Sequence, residues 1–258
     1  MTTKHLIVTL LSALTCISAQ AQTSFGDVMK FDDGWLFSLT DAPDQKDNSF
    51  NDKDWRTLDL PHDWSIEGRL SPTLASCTGY LPAGIGWYRK HFTVNDDAPR
   101  HYIYFEGVYN RSEVYLNGQL LGKRPNGYVS FMYDLTPYLK DGENVLAVRV
   151  DHSRYADSRW YTGSGIYRDV WLVSAPETHF SLWGVGWHAK SITEKQATVS
   201  VDMEIQKHIA VQSKLEVKAS LYDAGNNLVA SRTVTVNDRE ADLSKVETEL
   251  KVKNPHLW

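Results

Sequence analysis

Val114-Tyr115-Leu116-Asn117-Gly118-Gln119-Leu120-Leu121 sets two short β-prone runs on either side of an Asn-Gly pair. Both turn residues tolerate positive φ, so the stretch predicts a tight antiparallel hairpin. The same grammar repeats outward. Upstream, Tyr102-Ile103-Tyr104-Phe105 is a β-rich run. Downstream, Asp141-Gly142 is a second turn leading into Val145 to Val150, where Leu146, Val148 and Val150 share a face. Further on, Val199, Val201, Met203 and Ile205 alternate with Ser200, Asp202, Glu204 and Gln206. Leu215, Val217, Ala219 and Leu221 alternate likewise, Asp223 to Asn227 is a turn cluster, and Leu228 to Val236 resumes a strand. Leu250 and Val252 close the series. Strict alternation puts one face in a core and the other in water.

Closely spaced short strands predict sandwiches. After the N-terminal leader no stretch keeps a 3.6-residue period over three turns, so no (β/α)8 barrel is expected. The texture changes near Ala175-Pro176-Glu177, from aromatic sequence with long loops to plain alternation. The expected fold class is all-β: a jelly-roll-like sandwich over 25–175, then an immunoglobulin-like sandwich over 177–258.

The first 21 residues read as a secretory signal peptide. Lys4 precedes an apolar run from Leu6 to Ile17, and Ser18-Ala19-Gln20-Ala21 supplies small residues for cleavage after Ala21. The run is shorter than the roughly 20 residues a membrane span needs. Export to the periplasm or beyond is therefore expected. Removing the leader removes Cys16 and leaves Cys77, so no disulfide can form within the chain, and burial must hold it together. The chain has 27 Lys and Arg against 32 Asp and Glu and shows no basic patch, which argues against a nucleic-acid partner. Most of its 9 Trp and 13 Tyr are read as core, since aromatics favour strands and interiors.

Known catalytic motifs are missing: no His-Glu-x-x-His, Gly-x-Ser-x-Gly, phosphate loop or Cys-x-x-Cys. His62-Asp63 invites reading as half a triad, but adjacent residues seldom face each other on a strand and no nucleophile accompanies them. The long segment from Asp151 to Asp169 joins two strands and concentrates Asp157, Arg159, Trp160, Tyr161 and two glycines, Gly163 and Gly165. Carboxylates and guanidinium groups bond sugar hydroxyls, and Trp covers the apolar face of a ring. Two readings stand equal: a sugar-contacting loop, or a polar loop capping the sandwich with Asp157 and Arg159 as an ion pair. Asn110 and Glu113, between two other strands, could reach a ligand or satisfy loop backbone.

With these residues in view, the chain resembles the N-terminal part of glycoside hydrolase family 2, most closely its β-galactosidases. Six stretches carry the resemblance, in family order: Phe31-Asp32-Asp33-Gly34-Trp35, Leu60-Pro61-His62-Asp63-Trp64, Gly86-Trp87-Tyr88-Arg89-Lys90, Phe105 to Gly118, Ser158 to Val170, and Asn254-Pro255-His256-Leu257-Trp258. The resemblance implies a sugar-binding jelly roll, an immunoglobulin-like domain whose last strand is the Asn254 to Trp258 run, and then a catalytic barrel. Family members are retaining glycosidases, with an acid/base and a nucleophilic glutamate on the barrel. No Asn-Glu dipeptide is present here. No catalytic residue is therefore assigned, and the chain is expected to be inactive alone.

The resemblance also implies supporting contacts. Asp157, three residues before Trp160, matches an acidic residue that contacts sugar and a monovalent cation, with spacing shifted by one. Asn110 matches a sugar-contacting Asn, offset by one with Tyr109 in the direct position. Arg159 and Trp160 complete the expected substrate-binding set. No cofactor is expected in this chain, whereas Na+ or Mg2+ is implied for the complete enzyme. The expected partners are a β-galactoside-type glycan, the catalytic barrel and, through this domain, other subunits. Two alternatives stand beside an enzyme front end: a free-standing carbohydrate-binding module, and a docking partner for a separately made barrel.

Overall fold

The computed structural model describes residues 25–154, 160–212, 214–238 and 240–257. The 1–21 leader and the residues Asp157 and Arg159 lie outside them. Among the described residues the only helical turns are 3-10 turns at Pro43–Lys46, Ser76–Thr78 and Thr136–Tyr138, and everything else ordered is strand.

Ten strands build the first sandwich: β1 Asp27–Lys30, β2 Trp35–Ser38, β3 Arg56–Leu58, β4 Gly84–Phe92, β5 Arg100–Phe105, β6 Ser112–Leu116, β7 Gln119–Arg124, β8 Phe131–Asp134, β9 Asn144–His152 and β10 Val170–Ala175. They form a four-stranded sheet, β1-β10-β5-β8, and a six-stranded sheet, β3-β2-β4-β9-β6-β7, with every pairing antiparallel. This is a jelly-roll sandwich. The β6–β7 hairpin turns at Asn117 (φ 53°) and Gly118 (φ 82°), both in the left-handed region.

Between the sheets lie Trp35, Tyr88, Phe105, Leu116, Leu146 and Ile166, all fully buried. Each such side chain contributes roughly 1.5–3 kcal/mol of burial free energy. The outer face of the six-stranded sheet is not left to water. Arg89, fully buried, donates from Nε to Asp52 Oδ2 (2.6 Å) and from Nη1 to the carbonyls of Gln45 (2.6 Å) and Asp47 (3.1 Å). The 42–52 segment is thereby tied down onto β4.

The four-stranded sheet is buried on both faces. Along β5, Ile103 and Phe105 enter the sandwich core, while Tyr102 and Tyr104 join Trp171, Val173, Phe25 and Phe180 in a second cluster. That cluster meets the second sandwich. Its sheets are β11-β12-β15 (Thr178–Ile192, Gln196–Lys207, Leu243–Lys253) and β13-β14 (Leu215–Tyr222, Leu228–Val236). Val201, Met203, Ile205, Val217, Val236 and Leu250 form its core. Lys207, fully buried, donates to the Asp238 carbonyl (2.9 Å) and pairs with its carboxylate (3.2 Å).

The reading of the Asn254 to Trp258 run as a last strand needs correction. β15 ends at Lys253, and residues 254–257 form no strand. Asn254 turns the chain with φ 47° while its N–H donates to the Lys195 carbonyl (2.9 Å), and Pro255 has no N–H to offer a ladder.

A polar relay crosses the junction of the sandwiches. His179 Nδ1–H donates to the Phe180 carbonyl (2.7 Å), which leaves Nε2 to accept from the Tyr102 hydroxyl (2.9 Å). That hydroxyl in turn accepts from His208 Nε2–H (2.8 Å). Phe25 stacks on His179 at 4.3 Å, and Arg100 pairs with Glu177 at 2.7 Å. Burial first, then the Arg100 charge, holds His208 below the ordinary histidine range. Burial leads for His179 as well, with the Phe180 carbonyl, Asp134 and Glu177 opposing it and Arg100 reinforcing it. Both rings are neutral in the fold, so the unfolded chain binds more protons below its own histidine pKa of about 6.5, and stability falls as pH drops through that value. Urea denaturation at pH 7.5 and pH 5.5 should give the lower midpoint at pH 5.5. An equal or higher midpoint at pH 5.5 would refute the neutral relay.

Candidate functional site

The loops 60–83, 106–111 and 125–130 gather with residues 153–154 and 160–169 at one end of the jelly roll. A loop as long as 153–169 must find partners for its backbone groups. The segment 164–166 finds them on both flanks. His62 N–H donates to the Ile166 carbonyl (2.8 Å) and Trp64 N–H to the Ser164 carbonyl (3.1 Å). On the other side Tyr109 and Gly165 exchange two bonds, at 2.9 and 3.0 Å. The segment is a short irregular strand zipped between two loops.

Asp63 is the clasp. Its Oδ1 accepts from the N–H groups of Ser65 (3.0 Å) and Ser164 (2.9 Å), and its Oδ2 accepts from the Tyr161 hydroxyl. Burial, then this carboxylate, pushes the Tyr161 phenol above its ordinary pKa, so it stays a donor. Beneath lies a chain of hydroxyls. Ser65 donates to the Pro82 carbonyl (2.6 Å), so it accepts from Ser164 (2.5 Å), whose oxygen accepts from His152 Nδ1–H (2.6 Å). Ser164 and His152 are sealed from solvent, at 0% and 2% exposure, so this pair is a strut and offers no nucleophile. Nothing in the sequence marks it, because the partners come from two loops and the end of β9.

Glycines permit the packing. A Cβ on Gly165, whose φ is 128°, would meet the Tyr88 hydroxyl at 2.3 Å and the His62 carbonyl at 2.7 Å. His62 itself is structural. Its Nε2 accepts from Arg56 (2.9 Å), so Nδ1 carries the proton and faces the Tyr88 hydroxyl (2.7 Å). Burial lowers the His62 pKa and raises that of Tyr88.

The expected sugar-contacting residues fall in different places. Trp160 is 67% exposed. Asn110 is buried under the crown, its carbonyl accepting from Asp151 N–H (3.1 Å), and the Tyr109–Asn110 peptide is cis. Asp157 and Arg159 lie outside the described residues. Tyr128, Ile66, Leu70 and Tyr80 are also exposed on this group of loops, a concentration of apolar surface that the sequence reading did not pick out. The remaining carboxylates are engaged: Glu106 accepts from Trp171 Nε1 (2.9 Å), and Glu113 from Tyr115 and Lys123. Among the described residues no group of three or more His, Cys, Asp or Glu is placed to hold a metal ion. Among the same residues no helix is long and apolar enough to cross a membrane.

The structure is a jelly-roll sandwich whose loops at one end expose aromatic and aliphatic side chains. The family model for "Glycosyl hydrolases family 2, sugar binding domain" matches residues 28–176, and the chain belongs to that family. It is 47% identical over 234 residues to a β-galactosidase, BoGH2A, from Bacteroides ovatus, a match covering 88% of this chain and 27% of that protein. It is 38% identical over 232 residues to a putative β-glucuronidase from Formosa agariphila, covering 88% and 22%. Among solved structures, a family 2 member from Bacteroides cellulosilyticus superposes with TM-score 0.82 at 31% identity, over 90% of this chain and 31% of that one. A β-glycosidase from Bacteroides vulgatus gives 0.78 at 40% identity, over 90% and 30%. The chain thus spans about a quarter of the length of the curated relatives it matches.

Two substitutions separate the strut from the exposed Trp160. Gly165→Ala should lower unfolding free energy by about 2 kcal/mol or more, through strain and overlap. Trp160→Ala should change it by less than about 0.5 kcal/mol, as an exposed residue does. Urea titrations of both variants check this, and equal effects would refute the division.

Proposed function

We propose that this chain is the sugar-binding and immunoglobulin-like front end of an exported β-galactosidase-type retaining glycosidase. The observation that carries the reading is an exposed Trp160 on a loop whose base is bonded to its neighbours, within a domain that matches the family's sugar-binding model. The lean towards β-galactosides rests on the β-galactosidase at 47% identity, set against glucuronidases at lower identity.

In this reading the 153–169 loop forms one wall of a sugar pocket. Trp160 covers the apolar face of a sugar ring. Asp157 and Arg159 bond its hydroxyls, and Asn110 supports the same wall from beneath. A catalytic barrel supplies the other wall and the two glutamates of a retaining mechanism, which stand about 5–5.5 Å apart. Asp157 is also the proposed contact for Na+ or Mg2+ in the complete enzyme. One wall gives weak affinity, because most of the binding surface is elsewhere. The exposure of Trp160 also favours a second reading, in which the chain binds glycans unaided as a carbohydrate-binding module.

The purified chain should release no chromophore from a chromogenic β-galactoside. Joined to the remaining length of the Bacteroides ovatus relative, it should support turnover, and Trp160→Ala should lower kcat/KM by about tenfold or more. Turnover by the chain alone, or an unchanged kcat/KM in the variant, would overturn the assignment. Calorimetry with millimolar galactosides tests the module reading. Binding by the chain alone that is abolished by Trp160→Ala would favour that reading instead.

A further inference from the structure

One row of side chains crosses the outer face of the six-stranded sheet. Trp87 on β4 pairs with Arg149 on β9, Arg149 with Glu113 on β6, and Glu113 with Lys123 on β7. Directly opposed residues share a face. Their chain neighbours Tyr88, Val148 and Val114 are buried in the sandwich core, so alternation turns the row outward. Tyr115, two residues along β6, joins it, and its ring stacks on Trp87 at 5.9 Å and 25°. Trp87 faces outward yet is only 2% exposed, so the sheet is built over at this point.

Asp41, from the loop that follows β2, completes the structure above it. Asp41, Trp87, Glu113, Tyr115 and Arg149, with Lys46, line a cavity of about 270 Å3. Drug-sized ligands occupy roughly 300–1,000 Å3, so this space suits one small ring. Its walls are held in place. Arg149 donates from Nε and Nη2 to the two oxygens of Asp41, both at 2.8 Å, and Trp87 Nε1–H donates to the same carboxylate at 3.2 Å. Tyr115 donates to Glu113 Oε2, and Lys123 pairs with Oε1 at 3.0 Å.

Some bonding capacity is left over. Arg149 Nη1 lies 3.6 Å from Asp151 and 3.9 Å from Glu113, too far for a hydrogen bond to either. An ionised carboxylate has about four acceptor positions, and Asp41 uses three. The bonds from Arg149 hold the Asp41 carboxyl below the ordinary aspartate range, so it stays an acceptor. For Glu113 burial works the other way, and the bonds from Tyr115 and Lys123 outweigh it. Asp41, Glu113 and Asp151 stand among Lys46, Lys123 and Arg149, so the charges balance and favour neither an anion nor a cation. A neutral group that donates and accepts at adjacent atoms fits. Neighbouring hydroxyls of a sugar do both, and the apolar face of the ring can rest on Tyr115.

We propose that this cavity is a second saccharide site, which binds one pyranose ring of a neutral glycan on the outer face of the sheet. Arg149 Nη1–H donates to one hydroxyl, and the carboxylates of Asp41 and Glu113 accept from it and its neighbour. The ligand class follows from the donors and acceptors of this cavity, independently of the role given to Trp160. Arg149 lies three residues, roughly 10 Å, along β9 from the loop end of the strand. A longer glycan anchored here is held beside those loops, which raises the local concentration of its end there.

Two N–H groups of the cavity report on it directly, the Trp87 indole and Arg149 Nε, and proton–nitrogen NMR of the chain follows both. The probes are methyl β-galactoside and a β-linked galactose tetrasaccharide, with inorganic phosphate and methylammonium as charged controls. Both saccharides should shift the two signals and saturate with a millimolar Kd. Glu113→Gln keeps the shape but removes the charge, and Arg149→Lys removes the planar fork; each should weaken binding by about fivefold or more. Trp160→Ala should leave it unchanged. The site is refuted if neither saccharide moves the signals at about 50 mM, a concentration that fills a millimolar site. It is equally refuted if phosphate or methylammonium binds more tightly than the sugars, or if both cavity variants bind as the parent does. Loss of the shifts in Trp160→Ala would put the sugar on the loops and overturn this site. Shifts that persist while kcat/KM ignores Trp160→Ala would sink only the reading of the loop, so the two claims fail separately.

Discussion

A long connection between two strands can present side chains in a fixed place only if its own backbone is satisfied, and here one carboxylate ties the backbone bonds on its two flanks together. Asp63 accepts two backbone N–H groups from different loops and a phenolic hydroxyl from a third position. Its acceptors close the gap between the 62–65 turn and the 161–166 segment, and the Tyr109–Gly165 bridge closes the far side. The buried Ser65, Ser164 and His152 chain then fills the space beneath with directed bonds. Loops of this kind carry function when a rigid scaffold positions them. The scaffold here is the pair of strands β9 and β10 that the segment joins.

The same economy governs the interior. The four-stranded sheet is used twice, with one face in the jelly-roll core and the other against the start of the second sandwich. Tyr102 sits at the crossing point, apolar in its ring contacts and polar at its hydroxyl, where two neutral histidines meet it. Buried charges elsewhere are matched in full view of the fold. Arg89 binds a carboxylate and two carbonyls, and Lys207 binds the carbonyl and the carboxylate of Asp238. Leaving such a group buried without its partner would cost several kcal/mol.

Much of this was legible in the sequence, for local reasons. Asn117-Gly118 fixed its hairpin because few residues accept positive φ. Tyr102 to Phe105 and Leu228 to Val236 fall within β5 and β14. Alternation identified the inner residues of β12, since Val201, Met203 and Ile205 are buried. What stayed hidden depends on distant partners. The run Tyr102 to Phe105 carries no sign that both its faces are covered. The Asp63, Ser164 and His152 cluster draws on residues about a hundred positions apart, a spacing without a local signal. The family resemblance implied a last strand at Asn254 to Trp258, yet left-handed φ at Asn254 and the missing donor of Pro255 end the ladder at Lys253. Asn110 could be placed on a loop from its neighbours, but its burial could not.

The account rests on Asp63 holding the 160–166 segment in place. Amide hydrogen exchange of Asp63→Ala tests that most directly. The amide of Ser164 and its neighbours from Tyr161 to Ile166 should lose protection, while Val148 and Leu172 in the sandwich core keep theirs. Unchanged protection across 161–166 in the variant would contradict it, because the clasp would then be held by something other than this carboxylate.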